Sequence, residues 1–129
     1  MNKKNRVQVR RIYDPPMSDD GTRVLVDRLW PRGVSKVRAQ LDDWCKQIAP
    51  STELRNWYHH DSGLFDEFAC RYADELREPE PAAALAHLKE LAAMRPLTLL
   101  TATKDPDLSE AAVLARLLSG GDWHRGSEA

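Results

Sequence analysis

Arg23-Val24-Leu25-Val26-Asp27-Arg28-Leu29-Trp30-Pro31-Arg32-Gly33-Val34-Ser35-Lys36 is the stretch on which the fold turns. Val24, Leu25, Val26 and Leu29 form an apolar run of strand type, and Pro31 with Gly33 turns the chain out of it. A charged pair, Asp27-Arg28, interrupts the run. In a central strand spanning Arg23 to Trp30, an unpaired buried charge would cost several kcal/mol, so each member of the pair needs a partner or a ligand. Ser35 is then placed to cap a short helix carrying Lys36 and Arg38.

Upstream, Val7, Val9 and Ile12 sit in a short segment where Arg6, Gln8 and Arg10 alternate with the apolar positions, a first strand with one wet face. Asp14-Pro15-Pro16 ends it, and Met17 to Gly21 reads as a polar loop. Downstream, Leu41, Trp44 and Ile48 fall at i, i+3 and i+7, which predicts one face of a helix ending before Pro50. Ser51 caps the next helix, with Glu53 in its first turn. From it Leu54, Trp57 and Tyr58 face one way, and Arg55 and His59 another.

Asp61 or Ser62 opens what reads as the longest helix. Its apolar stripe is Phe65, Phe68, Ala69, Tyr72 and Leu76, with Asp66, Glu67, Asp74, Glu75 and Glu78 toward water, and Pro79 and Pro81 stop it. Ala82 to Met94 predicts a further helix with Leu85, Leu88 and Leu91 inward, closed by Pro96. Leu97 to Ala102 reads as a buried strand, and Thr103 to Pro106 as a loop. Asp107 and Glu110 have the spacing of a capping box, with Ser109 as the alternative cap. The last helix packs through Leu114, Leu117 and Leu118 and ends at Gly120-Gly121. Residues 1–120 read as one domain and 121–129 as a loose tail, with Trp123 able to tuck back.

Strand, loop and helix succeed one another at both 24–36 and 97–118. The expected class is therefore α/β: a single, helix-rich domain with a small, mostly parallel sheet of three to four strands flanked by helices. Ligands of such sheets lie beyond the carboxyl ends of the strands, which puts Trp30 to Lys36 and Thr101 to Lys104 at one edge. Against a parallel arrangement stands the connection between the first two strands, which shows no crossover helix.

With 129 residues, 42% hydrophobic and 30% charged, the chain is long enough for one core and has no apolar run near the roughly 20 residues of a membrane span. No membrane is expected. The basic start, Met1 to Arg6, runs directly into Val7-Gln8-Val9 without a secretory apolar stretch, so the setting is read as cytoplasmic. Cys45 and Cys70 lie in helical-looking segments and are expected as reduced packing thiols. The net charge of −1 hides an asymmetry, since residues 1–40 hold ten Lys/Arg against four Asp/Glu and the remainder nine against sixteen. A basic third draws anions, and an acidic remainder discourages wrapping by long nucleic acid; mutual pairing of the two halves is the plainer reading.

Arg28, Arg32 and Lys36 sit on or just after a strand end beside a helix start, where phosphate or carboxylate can be held. The alternative is that Arg28 pairs with Asp27 or an acidic helix while Arg32 coats the surface. Gly33 in the turn, Arg55 and His59 on the second helix and Lys104 after the last strand complete the candidate ligand-binding set. Asp27 is the candidate catalytic residue, either orienting a guanidinium or acting as general base. Trp30 is either a stacking face or a lid on the sheet edge.

His59-His60-Asp61 has no second cluster with ligand spacing, so neither metal nor cofactor is expected. Neither cysteine is followed by the short loop to Arg of a cysteine phosphatase, and no G-x-x-x-x-G-K-[ST], G-x-G-x-x-G or G-x-S-x-G occurs. Three readings remain open: a pocket for a small anionic or phosphorylated molecule, with or without catalysis; binding of short or single-stranded nucleic acid; and a protein-interaction module whose charged stretch is a structural clasp. Neither enzymatic activity nor oligomeric state is written in these residues.

These segments resemble a bacterial family of unknown function, domain-of-unknown-function family 488 in its short, YeaO-like form. The resemblance is carried by Arg11-Ile12-Tyr13-Asp14-Pro15-Pro16, Asp20-Gly21, Arg23 to Gly33 with Ser35-Lys36, Trp44-Cys45-Lys46 and Ile48-Ala49-Pro50-Ser51. Glu53-Leu54-Arg55, Phe68, Arg71-Tyr72 and Glu75-Leu76 add to it, so that it reaches to about residue 118. It implies a small cytoplasmic α/β domain with the D-R-L-W-P-R-G run at a strand end as its site. No recognition helix or methyl-donor motif is visible. The chain departs from the family where Tyr gives way to Thr101, and where Asn followed by His or Asn gives way to Ser109-Glu110.

Overall fold

In the computed structural model, which describes residues 6–59 and 61–121, the strand-like segments form a four-stranded, fully parallel sheet. The strands are β1 (Val7–Arg11), β2 (Thr22–Leu25), β3 (Asp43–Trp44) and β4 (Leu97–Thr101), in the order β1-β4-β2-β3. Five helices complete the α/β domain: α1 (Lys36–Ala39), α2 (Thr52–Tyr58), α3 (Phe65–Glu75), α4 (Pro79–Met94) and α5 (Glu110–Leu118). Residues 122–129, including Trp123, lie outside the described residues, so the expectation of a loose tail falls there. Among the described residues no helix is long and apolar enough to cross a membrane.

The most apolar strand takes the centre. β4 is buried along its whole length, paired to β1 from Val7↔Leu97 to Arg11↔Thr101 and to β2 from Thr22↔Leu97 to Leu25↔Leu100. A parallel strand covered on both faces reads as a continuous apolar run for this reason. The missing crossover helix between β1 and β2 is thereby explained. The two strands are not neighbours, and residues 12–21, with a reach of about 3.3 Å each, return across a five-residue strand without one.

Side chains alternate between two cores. Val24, Val26, Leu97 and Leu99 meet Leu54, Tyr58, Phe68, Tyr72, Leu88 and Leu114 from the large helical layer. Leu25 and Leu100 point the other way, to Ile12 and Ala39, with Trp30 and Trp44 packed against them. Tyr58 stacks on Phe68 with ring centroids 4.2 Å apart, and the buried Tyr72 hydroxyl donates to the Ile48 carbonyl at 2.6 Å.

Several local expectations are corrected. β2 ends at Leu25 rather than Trp30: Val26 still donates to the Leu100 carbonyl (3.1 Å), but β4 stops at Thr101 and leaves the next residues no ladder partner. Leu41, Trp44 and Ile48 do not share a helical face. The free edge of β2 captures this segment, through Asp42 N–H to the Arg23 carbonyl and Cys45 N–H to the Leu25 carbonyl, both 2.8 Å, and only Lys46–Ile48 winds into a 3-10 turn.

The longest helix is α4, not α3, and Pro79 and Pro81 open it instead of stopping its predecessor, since a first turn has no use for their missing N–H groups. Glu75 does not face water. It accepts from the Ser51 N–H (2.9 Å) and hydroxyl (2.6 Å), while that hydroxyl accepts from Leu54 N–H as the cap of α2. Ser35 caps α1 as expected, accepting from Arg38 N–H at 3.1 Å. The capping box does not form. Asp107 belongs to a 3-10 turn, Pro106–Leu108, and the Ser109 hydroxyl donates to the Pro106 carbonyl (2.6 Å).

Among the described residues, a buried ion pair lies at the opposite edge from Asp27-Arg28. Asp20 and Arg23, with side chains 1% and 6% exposed, meet at 2.6 Å, and the guanidinium also donates to the carbonyls of Ala39 (2.8 Å) and Gln40 (3.2 Å). Burial raises the Asp20 carboxyl, but the Met17 N–H and the Arg23 guanidinium outweigh it and hold the group below its ordinary range. Between them Gly21 has φ +68, and a Cβ there would lie 2.0 Å from the Pro96 carbonyl oxygen, which closes the turn by accepting from Thr22 N–H.

Candidate functional site

The end of β2 fixes Asp27. Its carbonyl accepts from the Trp44 indole N–H (2.8 Å), and its carboxylate oxygens accept from the Thr101 hydroxyl and the Ala102 N–H, each at 2.8 Å. Asp27 is thus tied to the end of β4 and forms part of the wall of a cavity of about 460 Å³ beyond the carboxyl ends of the strands. Arg28, Trp30 and Arg32 line the cavity from the segment after β2, Arg55 and His59 from α2, and Thr103 and Glu110 from either side of the last loop.

Each wall has its own support. Arg28 donates to the carbonyls of Ala49 and Pro50, both at 3.3 Å, which fixes the approach to α2. Trp30 is half-buried, its indole N–H donating to the Val34 carbonyl (2.6 Å) and its ring meeting Trp44 edge-on at 5.3 Å. Tyr58 closes the apolar side, its hydroxyl donating to the Leu108 carbonyl at 2.8 Å, and its phenol is raised by burial and by Asp61 and Asp105. Arg32 and Arg55 are exposed, and neither guanidinium has a hydrogen bond or ion pair among the described residues. His59 ends α2 in the left-handed conformation, φ 45.

Glu110 has the most perturbed carboxyl of the site. Burial and the hydrogen-bonded Asp27 carboxylate push it well above the ordinary range, against an opposing pull from Arg55. The capping box is absent: the side chain lines the cavity and accepts from its own backbone N–H at the start of α5, which together with Arg55 opposes the rise. Cys45 contributes no nucleophile, since burial and Asp43 raise its thiol to about 11. Among the described residues no group of three or more His, Cys, Asp or Glu is placed to hold a metal ion.

Sequence comparison matches residues 6–126 to a family described as the inactive DUF488-N3 subclade. The chain belongs to that family. Among the relatives, an uncharacterised protein of Mycobacterium tuberculosis strain H37Rv is 50% identical over 120 residues, covering 93% of this chain and 99% of its own length. A counterpart in Mycobacterium bovis shows the same figures. YeaO of Escherichia coli K12, also described as uncharacterised, is 42% identical over 119 residues, covering 92% of this chain and 96% of YeaO. No solved structure matches the chain.

Of the candidate residues, the fold brings Asp27, Arg28, Trp30, Arg32, Arg55 and His59 to one cavity. Lys104 lines an adjoining recess that shares Asp27, Ala102 and Thr103. Gly33 and Lys36 do not line the cavity: Gly33, at φ +79, lines a separate dent beside Tyr13 and Pro15, and Lys36 is exposed at the start of α1. Tyr58 and Glu110 are not in the candidate set read from the sequence, and Thr103 enters there only as part of the Thr101 to Lys104 edge. Spacing alone gives Glu110 to a capping box. The signal that marks its position is the departure of Thr101 and Ser109-Glu110 from the DUF488 pattern.

Proposed function

We propose that the cavity binds a small molecule through an anionic group, phosphate or carboxylate, held by Arg55 and Arg32 with Arg28 and His59 alongside. The observation that carries this reading is the convergence of two guanidinium groups, neither with a hydrogen bond or ion pair among the described residues, on one concave space of about 460 Å³. A guanidinium in that position presents a fork of donors matched to an oxyanion. Lys104, in the adjoining recess, adds positive charge on the approach. The description of the family as inactive favours binding over turnover, with Asp27 as a contact and anchor in place of a general base.

The clasp reading loses its main support, because the buried pair is Asp20–Arg23 and Asp27 faces a cavity. A nucleic-acid platform fits less well, since Trp30 is pinned through its indole N–H and packs against Trp44. Buried cysteines outside any disulfide agree with a cytoplasmic setting.

Thermal unfolding with phosphorylated metabolites, nucleotides and short oligonucleotides, each at low and high salt, tests the reading. A ligand at 100 times its Kd stabilises the fold by about 2.7 kcal/mol. The expected result is a shift by a small anion that survives salt and vanishes in Arg55→Ala. A response to oligonucleotides alone, abolished by salt, would replace this reading with the nucleic-acid one, and no shift with any compound would refute both.

A further inference from the structure

Holding an anion leaves the acidic part of the cavity wall unexplained. There the Asp27 carboxylate, from the end of β2, and the Glu110 carboxyl, from the first residue of α5, are hydrogen-bonded to each other and face the same space as Arg55. Two carboxyl groups in hydrogen-bond contact hold one proton between them, because like charges at that distance oppose double ionisation. The pair therefore turns acceptor lone pairs toward the cavity, its shared hydrogen being used between the two carboxyls. The elevated affinity of Glu110 for its proton agrees with this arrangement.

Other polar groups nearby are largely committed. The Tyr58 hydroxyl donates to Leu108, the Tyr72 hydroxyl to Ile48 and the Ser109 hydroxyl to Pro106, and the Thr101 and Thr103 hydroxyls lie 3.1 Å apart. Arg28, Arg32, Arg55 and His59 are the basic groups that line the same cavity as the pair. An occupant that placed negative charge on Asp27 and Glu110 would meet repulsion, and a hydrocarbon would desolvate their outward lone pairs without offering a donor. A hydroxyl group suits the pair, since it donates to a carboxyl oxygen.

We infer that the ligand is a phosphorylated polyol of sugar-phosphate size, its phosphate on Arg55 and Arg32 and neighbouring hydroxyls on Asp27 and Glu110. The inference rests on the anion-binding reading above and assigns the second half of the site. A cavity of about 460 Å³ admits such a molecule, and several guanidinium groups on one side match the three terminal oxygens of a phosphate better than a single carboxylate.

Isothermal titration calorimetry at pH 7 and fixed salt, with ribose 5-phosphate, n-propyl phosphate and O-phosphoethanolamine as probes, separates the two claims. The native chain is expected to bind ribose 5-phosphate at least about tenfold more tightly than propyl phosphate, the worth of one hydrogen bond to a charged group. That ratio should collapse toward one in Glu110→Ala and in Asp27→Asn, and Arg55→Ala should weaken both phosphates. Equal affinity of the native chain for ribose 5-phosphate and propyl phosphate overturns the polyol assignment and leaves the anion site standing. Preference for phosphoethanolamine overturns it in favour of an ammonium group on the carboxyl pair. Failure of every phosphate to bind overturns both readings. The comparison in the native chain is decisive by itself, so the outcome does not depend on every variant folding.

Discussion

Replacing Arg23 by Met removes a guanidinium that is 6% exposed and keeps an unbranched stem of similar reach. What remains is Asp20, 1% exposed, with the Met17 N–H (2.9 Å) and the Gln8 side-chain amide (3.2 Å) as partners but without its 2.6 Å ion pair. The Ala39 and Gln40 carbonyls lose their guanidinium donors in the same step. Breaking a buried pair from one side costs about 3–5 kcal/mol, and the surviving donors to Asp20 place the expectation near the lower end. A loss of that size is a large part of the roughly 5–15 kcal/mol that holds a domain folded and lowers Tm by about 10–15 °C for a chain of this length.

Urea unfolding followed by tryptophan fluorescence measures it, with an unchanged slope required for the comparison. Arg71→Ala is the control. Arg71 pairs with Glu67 at 2.9 Å on an exposed helix face and lies 4.2 Å over the Trp57 ring, interactions worth together about 1 kcal/mol. A loss below about 1 kcal/mol in Arg23→Met would refute the claim that this pair organises the amino edge of the sheet.

Three further outcomes follow from the same geometry. Glu110 has a raised folded-state carboxyl, so the folded chain binds the extra proton as pH climbs above the ordinary carboxylate value, and stability falls through that window. Glu110→Gln should remove that decline and be more stable than the native chain at pH 8 but not at pH 4; parallel pH profiles would show that Glu110 is not strained. Asp20 has the opposite sign: its contribution is present above the unfolded carboxylate value near 3.8 and is lost as pH falls through its lowered folded value, which Asp20→Asn should show as a weaker acid transition. Gly21→Ala combines a left-handed φ with a clash on the Pro96 carbonyl and should cost about 2–5 kcal/mol, whereas Gly33→Ala, with open space around its Cβ, should cost only about 1–2 kcal/mol. Equal thermal shifts for the two would refute the steric argument.

Local sequence is enough to specify the α/β class, a mostly parallel sheet with a buried strand from Leu97, the serine caps of α1 and α2, and the position of Trp30 and Arg32 at the carboxyl edge of that sheet. These follow from periodicity and from side chains that satisfy the backbone within three or four residues, so they are written in consecutive positions. The remaining features depend on partners far apart in the chain, which only the assembled fold supplies. β2 ends where β4 ends, and that single fact moves Asp27 from mid-strand to the cavity wall, with Ala102, 75 residues away, as its partner. The segment around Trp44 leaves its helical periodicity because the free edge of β2 offers ladder partners. Glu110 has the spacing of a cap, yet it becomes half of a carboxyl pair once Asp107 folds into the preceding turn and Asp27 arrives beside it. Spacing within one segment encodes helices and strands, but a carboxyl group acquires its chemistry from whatever the rest of the chain brings within hydrogen-bond distance.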